Sequence, residues 1–183
     1  MAATIIILAI VVVLIYIQHS KAGGELISKR AISFNNGKST INLSLEDYKE
    51  GDETAHYLVH RELFNTEKFK LTGFEDEVMP CVNQEFKVGE DRNALCLTGD
   101  VGAHSQNVQF ILADKTLGAM DFRQSDGERS PNIVSDLPKI RIIDYNSGGA
   151  RLAAYGRDYD KNPLVDEVIS YYENNEGVFE LIK

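Results

Sequence analysis

The chain opens on an unbroken apolar run and then changes pattern for good. Ile5 to Ile17 reads IIILAIVVVLIYI, and no charged side chain appears before Lys21. As a helix rising 1.5 Å per residue, residues 2–17 would cover roughly 24 Å, a little short of the ~30 Å hydrocarbon core. Gln18, His19 and Lys21 can reach toward headgroups, and Tyr16 suits the interface. Ile and Val favour strands in water. A strand this long is outside the usual range, however, and lipid requires a backbone satisfied within the segment. A single transmembrane helix is therefore expected over residues 1–20, contacting the bilayer through residues 2–17. Ser20-Lys21-Ala22 has the small-residue spacing of a leader cleavage site, but no Lys or Arg precedes the run.

Past the run, Gly23-Gly24 marks a short linker, residues 21–30, with no Pro- or Ser-rich spacer. It would hold the following domain, residues 31–183, close to the membrane surface. Ala31 to Phe34, Asn35-Asn36-Gly37-Lys38, and Ser39 to Leu45 predict a β-hairpin, with Ile41, Leu43 and Leu45 alternating with polar positions. Ala55, Leu58, Val59 and Leu63 share one helical stripe behind Asp52 as a cap, which predicts a helix over residues 52–64. Short strands follow, at 69–71, 85–88, 94–98, 108–113, 118–122, 139–144 and 150–155, punctuated by Gly, Pro, Asn and Asp. Asn162-Pro163 is placed to start a second helix, over residues 163–174, with Leu164, Val168 and Tyr172 on its buried side. Residues 178–182 are expected to return as a strand. The whole is a single N-terminal transmembrane helix followed by a β-rich (α+β) domain, sandwich- or barrel-like, with two short helices.

The domain is acidic: the chain carries 28 Asp and Glu against 19 Lys and Arg, a net charge of −9. No basic stripe is present, which excludes ordinary nucleic-acid binding. Lys21, Lys29 and Arg30 follow the apolar run, and only the α-amino group precedes it. The positive-inside rule then places the domain on the cytoplasmic side. In that reducing compartment Cys81 and Cys96 are expected to be free, buried thiols. A lumenal or extracellular domain would instead favour a disulfide, and would give the Asn42-Leu43-Ser44 sequon a meaning.

Candidate chemistry is sparse. Gly37-Lys38-Ser39-Thr40 resembles the end of a phosphate-binding loop, but position 32 is Ile where the pattern needs Gly, and a hairpin is the wrong context. Asp158, Asp160 and Asn162 alternate as oxygen ligands do at the start of a calcium loop, yet Pro163 and Ile169 occupy the positions that should be Gly and Glu. His56 and His60, four apart on the expected helix, could meet one metal if Glu53 or His104 joined them. Cys81 or Cys96 with His104 has no signature of a nucleophile–base pair. No resident cofactor is implied. The pattern as a whole points to a non-enzymatic structural or accessory subunit of a larger assembly with other protein subunits. An energy-transducing membrane complex and the inner-membrane layer of a virion both fit. A membrane-tethered domain with a calcium or zinc site is the alternative.

Overall fold

The structure is a computed structural model that describes residues 24–89, 91–102, 105–123, 127–135, 140–146, 149–158, 165–173 and 178–182. The expected anchor and the first residues of the expected linker lie outside these. Every regular element among the described residues is a strand. In chain order they are β1 (Glu25–Asn35), β2 (Thr40–Glu50), β3 (Glu53–Arg61), β4 (Thr66–Leu71), β5 (Val78–Gly89), β6 (Arg92–Val101), β7 (Ser105–Ala113), β8 (Leu117–Ala119), β9 (Asp121–Arg123), β10 (Arg129–Ser130), β11 (Ile133–Ser135), β12 (Ile140–Asn146), β13 (Gly149–Asp158), β14 (Val165–Glu173) and β15 (Val178–Ile182). β1 thus starts inside the stretch expected to be linker.

The strands form three sheets. The first runs β1-β2-β3-β4, the second β11-β7-β6-β5 with β8 beside β7, and the third β10-β9-β15-β14-β13-β12. All pairings are antiparallel except β15 with β9. The second sheet is the middle layer, because its strands bury both faces. Leu95, Leu97, Ile111 and Ala113 join Leu43, Leu45 and Leu58 of the first sheet in one cluster. Their neighbours Ala94, Cys96, Val108 and Phe110 turn the other way and pack with Phe86, Phe122 and Ile133. The rings of Phe86 and Phe110 lie 4.5 Å apart, and those of Phe110 and Phe122 6.0 Å. A strand covered on both faces reads as a continuous apolar run, and Leu95-Cys96-Leu97 is one.

The expected hairpin is present as β1 and β2, with Asn35 opposite Thr40. Its turn uses one positive φ, at Gly37 (φ 100°), and not at Asn36. Asn36 is instead buried, and its Nδ2 donates to the Ala113 carbonyl at 2.9 Å. The turn is thereby pinned to the middle layer.

Both expected helices are strands. In residues 52–64, the stripe of Ala55, Leu58 and Val59 arises because β3 is covered on both sides. Leu58 faces the core, opposite Leu45, while Ala55 and Val59 face the other way, opposite Tyr48 and Ser44. Adjacent Leu and Val then look like one helical face. In residues 163–174, Val165 to Glu173 is β14, paired on one side with β13 and on the other with β15. Its β-branched and aromatic residues suit a central strand, and the ladders override the Asn-Pro start signal.

Cys81 and Cys96 form a disulfide, with Cα atoms 5.4 Å apart. The expectation of free thiols rested on flanking charge, which knows nothing of strand pairing. β5 lies beside β6, and that adjacency places the two Cα atoms within the 4.4–6.8 Å that a bridge needs.

Candidate functional site

The outer face of the first sheet carries the densest polar chemistry among the described residues. Ser44, Glu46, Tyr48 and Glu50 of β2 alternate outward; β3 adds Tyr57 and Arg61, and β4 adds Lys68 and Lys70. Register sets Glu46 opposite both Lys29 of β1 and Tyr57 of β3. Glu46 is fully buried even though it points away from the core. The Arg61 guanidinium donates to both its oxygens, at 2.5 and 2.8 Å. Tyr48 donates to it at 2.7 Å and Ser44 at 2.8 Å, and Lys29 Nζ stands 3.3 Å away. Burial pushes the Glu46 carboxyl upward, but the hydrogen bonds from Arg61, Tyr48 and Ser44 outweigh it and lower the pKa from 4.5 to about 2. The same pairing raises the Arg61 guanidinium further.

Around this centre the rings order the lysines. Lys68 Nζ lies 4.2 Å from the centre of the Tyr48 ring, and Tyr48 meets Tyr57 edge-on at 5.5 Å. Tyr57 donates to Glu50 at 2.7 Å, and Lys70 Nζ is 3.1 Å from the same carboxylate. Those bonds, the tyrosine's first, lower Glu50, and Glu50 in turn raises Tyr57 and Lys70. Sequence reading missed this network. The strand expected from the sequence stops at Leu45, short of Glu46 and Tyr48 that β2 includes, and Arg61 comes from a segment misread as helix.

Just beneath, Asp47 and His56 face inward. The Asp47 carboxylate bonds His56 Nδ1 at 2.7 Å through one oxygen and accepts from the Ser28 hydroxyl through the other. Hydroxyl and imidazole meet different oxygens of one acid, so this is no nucleophile–base relay. His56 Nε2 is buried without a partner. Farther along the same layer, Asn107 and Gln109 donate to the Thr72 and Gly73 carbonyls and to Asn132 Oδ1, while their own amide oxygens stay buried and unpartnered.

The residues marked out in the sequence do not converge. On a strand, His56 and His60 are about 13 Å apart along the chain, too far to share an ion. Asp158 ends β13, while His104, Asp160 and Asn162 lie outside the described residues. No group of three His, Cys, Asp or Glu among the described residues is placed to hold a metal. The Gly37-Lys38-Ser39 N–H groups are already bonded to the Asn35 and Asn36 side chains, at 2.8 to 3.0 Å. They cannot cradle a phosphate. The adjoining groove, about 700 Å³ and lined by Lys38, Ser39, Asp114, Lys115 and Thr116, is open to solvent.

A different feature stands out at the β3–β4 turn. Leu63 is 94% exposed and Phe64 100%. Glu62 N donates to the Asn65 carbonyl at 2.8 Å and closes the tip beneath them. In comparisons with family models, curated proteins and solved structures, the chain matches none.

Proposed function

We propose that the chain is a non-enzymatic, membrane-anchored structural subunit whose layered β domain docks onto other proteins of a larger assembly. The observation that carries this reading is the bare Leu63-Phe64 tip. Burying a Leu or Phe is worth ~1.5–3 kcal/mol each, and a well-packed domain leaves such a pair in water only at a cost. The tip also lies far from the start of β1. β1, β2 and β3 run back and forth, so Arg61 ends at the opposite end of the sheet from Glu25. An anchor at residues 2–17 would sit at the Glu25 end, and the tip would then face partners rather than the same bilayer. The Cys81–Cys96 bond favours an oxidising side for the domain, where the exposed Asn42 would be open to glycosylation. A membrane complex and a virion membrane layer both fit this arrangement.

The test is extraction of the native protein in mild detergent, with Leu63→Asp and Phe64→Asp variants beside it. Wild type should migrate in a stoichiometric complex, and the variants should fold normally but run alone. A wild-type protein that is itself monomeric, with no stable partner, would defeat the proposal.

A further inference from the structure

β1 is an open edge of the first sheet. Such an edge offers unpaired N–H and C=O groups to any extended chain. Here its last residues, Ser33 to Asn35, are guarded from β5 and β6. The pairing of β5 with β6 breaks between Pro80 and Glu85. The intervening residues, Cys81 to Gln84, form a bulge beside β1, with Val82 at full exposure. Gln84 Nε2 donates to the Ser33 carbonyl at 2.9 Å, and the Asn35 N–H donates to Glu85 Oε1 at 2.9 Å. Asn93 of β6 donates to the Asn35 carbonyl at 2.9 Å. Nearer its start, the β1–β2 ladder has its own irregularity between Leu26 and Ser28, which discourages pairing there. Between Pro80 and Glu85 the bulge has no ladder partner, and the covalent tie from Cys81 to Cys96 spans that gap.

We propose that the Cys81–Cys96 bond is a redox latch on the β1 edge. Closed, it holds the bulge where Gln84 reaches Ser33, and it steadies the point where the β5–β6 ladder resumes, with Glu85 opposite Leu95 and its carboxylate on the Asn35 N–H. A dithiol reductant opens it: one thiolate attacks a cysteine sulfur to give a mixed disulfide, and the second displaces the protein thiolate. Two electrons and two protons pass to the protein, which keeps two thiols, and the reductant leaves as its cyclic disulfide. The released bulge withdraws Gln84 from the Ser33 carbonyl and loosens the adjoining Glu85, so the Asn35 N–H loses its acceptor while Asn93 of β6 stays on the Asn35 carbonyl. The latch works the same way whichever assembly the chain serves.

The test is hydrogen exchange on the full-length chain in detergent micelles, oxidised and after dithiol reduction, with alkylation to count thiols. Reduction should speed exchange at the Asn35 amide at least about tenfold while the Leu58 and Phe110 amides stay protected. A Gln84→Ala/Glu85→Ala variant with its bond intact should show the same local acceleration. Unchanged exchange at Asn35 once both thiols alkylate would overturn the proposal. So would equal acceleration at Leu58 and Phe110, which would make the bond a general brace. Slow exchange in the alanine pair would show that the guard does not rest on those side chains, and the latch would fail.

Discussion

Replacing Glu46 by Gln should cost stability at neutral pH and nothing at low pH. The wild-type carboxyl is lowered from 4.5 to about 2, which corresponds to roughly 3 kcal/mol favouring the ionised form in the folded state. Arg61 and Lys29 are 41% and 51% exposed, so water screens part of this and roughly 2 kcal/mol remains. The sign follows from the direction of the shift. A depressed carboxylate contributes its full stabilisation above its unfolded value, near 4.5, and loses it as pH falls toward about 2. Urea unfolding of both proteins, at intervals from pH 7 down to pH 2.5, reads the difference directly. At pH 7 the variant should unfold about 2 kcal/mol more easily, or about 4–8 °C lower in a thermal scan. That gap should begin to close below pH 4.5. Glu50 is also lowered, but it is common to both proteins and cancels in the difference. A gap that stays constant down to pH 2.5 would refute the argument, since the network would then contribute by shape rather than by charge.

Phe110→Ala, which empties the centre of the Phe86–Phe110–Phe122 cluster, should cost about 3–5 kcal/mol by denaturant midpoint. Gly37→Ala should cost about 2 kcal/mol or more, because Gly37 has φ 100° and an added Cβ would lie 2.4 Å from the Asp91 carbonyl. Alkylation of the unfolded, unreduced protein should add no mass, and after reduction should add two alkyl groups, as measured by intact mass.

Much of the β character was legible because alternation and turn residues act locally. Ile41, Leu43 and Leu45, followed back from Gly37, marked the first hairpin without any long-range knowledge. The strands expected at 85–88, 94–98, 108–113 and 150–155 lie inside longer ones, and 139–144 overlaps Ile140–Asn146, but 118–122 is two short strands, Leu117–Ala119 and Asp121–Arg123, that break at Met120 and join different sheets. What sequence could not reveal was which strands are covered twice. A strand buried on one face alternates; β3 is buried on both, so Leu58 and Val59 stand side by side and imitate a helix. The same blindness hid the candidate site. Glu46 looks like an exposed acid until β1 brings Lys29 to one side and the folding back of β3 brings Arg61 to the other. The disulfide was hidden likewise: a spacing of 15 residues is compatible with a bridge, but only the adjacency of β5 and β6 makes one.

The parallel pairing of β15 with β9 bears on how the chain folds as it is made. Val178, Phe179 and Glu180 lie against Asp121, Phe122 and Arg123. β9 therefore cannot gain its inner neighbour until residues 178–180, more than 50 positions further on, have left the ribosome. The first two sheets pair strands close in sequence and can form early. Until β15 arrives, Phe122 and the far side of the middle layer lack their finished cover, and contacts that must span so much chain form slowly. Nascent chains stalled short of Val178 should then present a sticky half-built surface, the interval in which a chaperone would matter most.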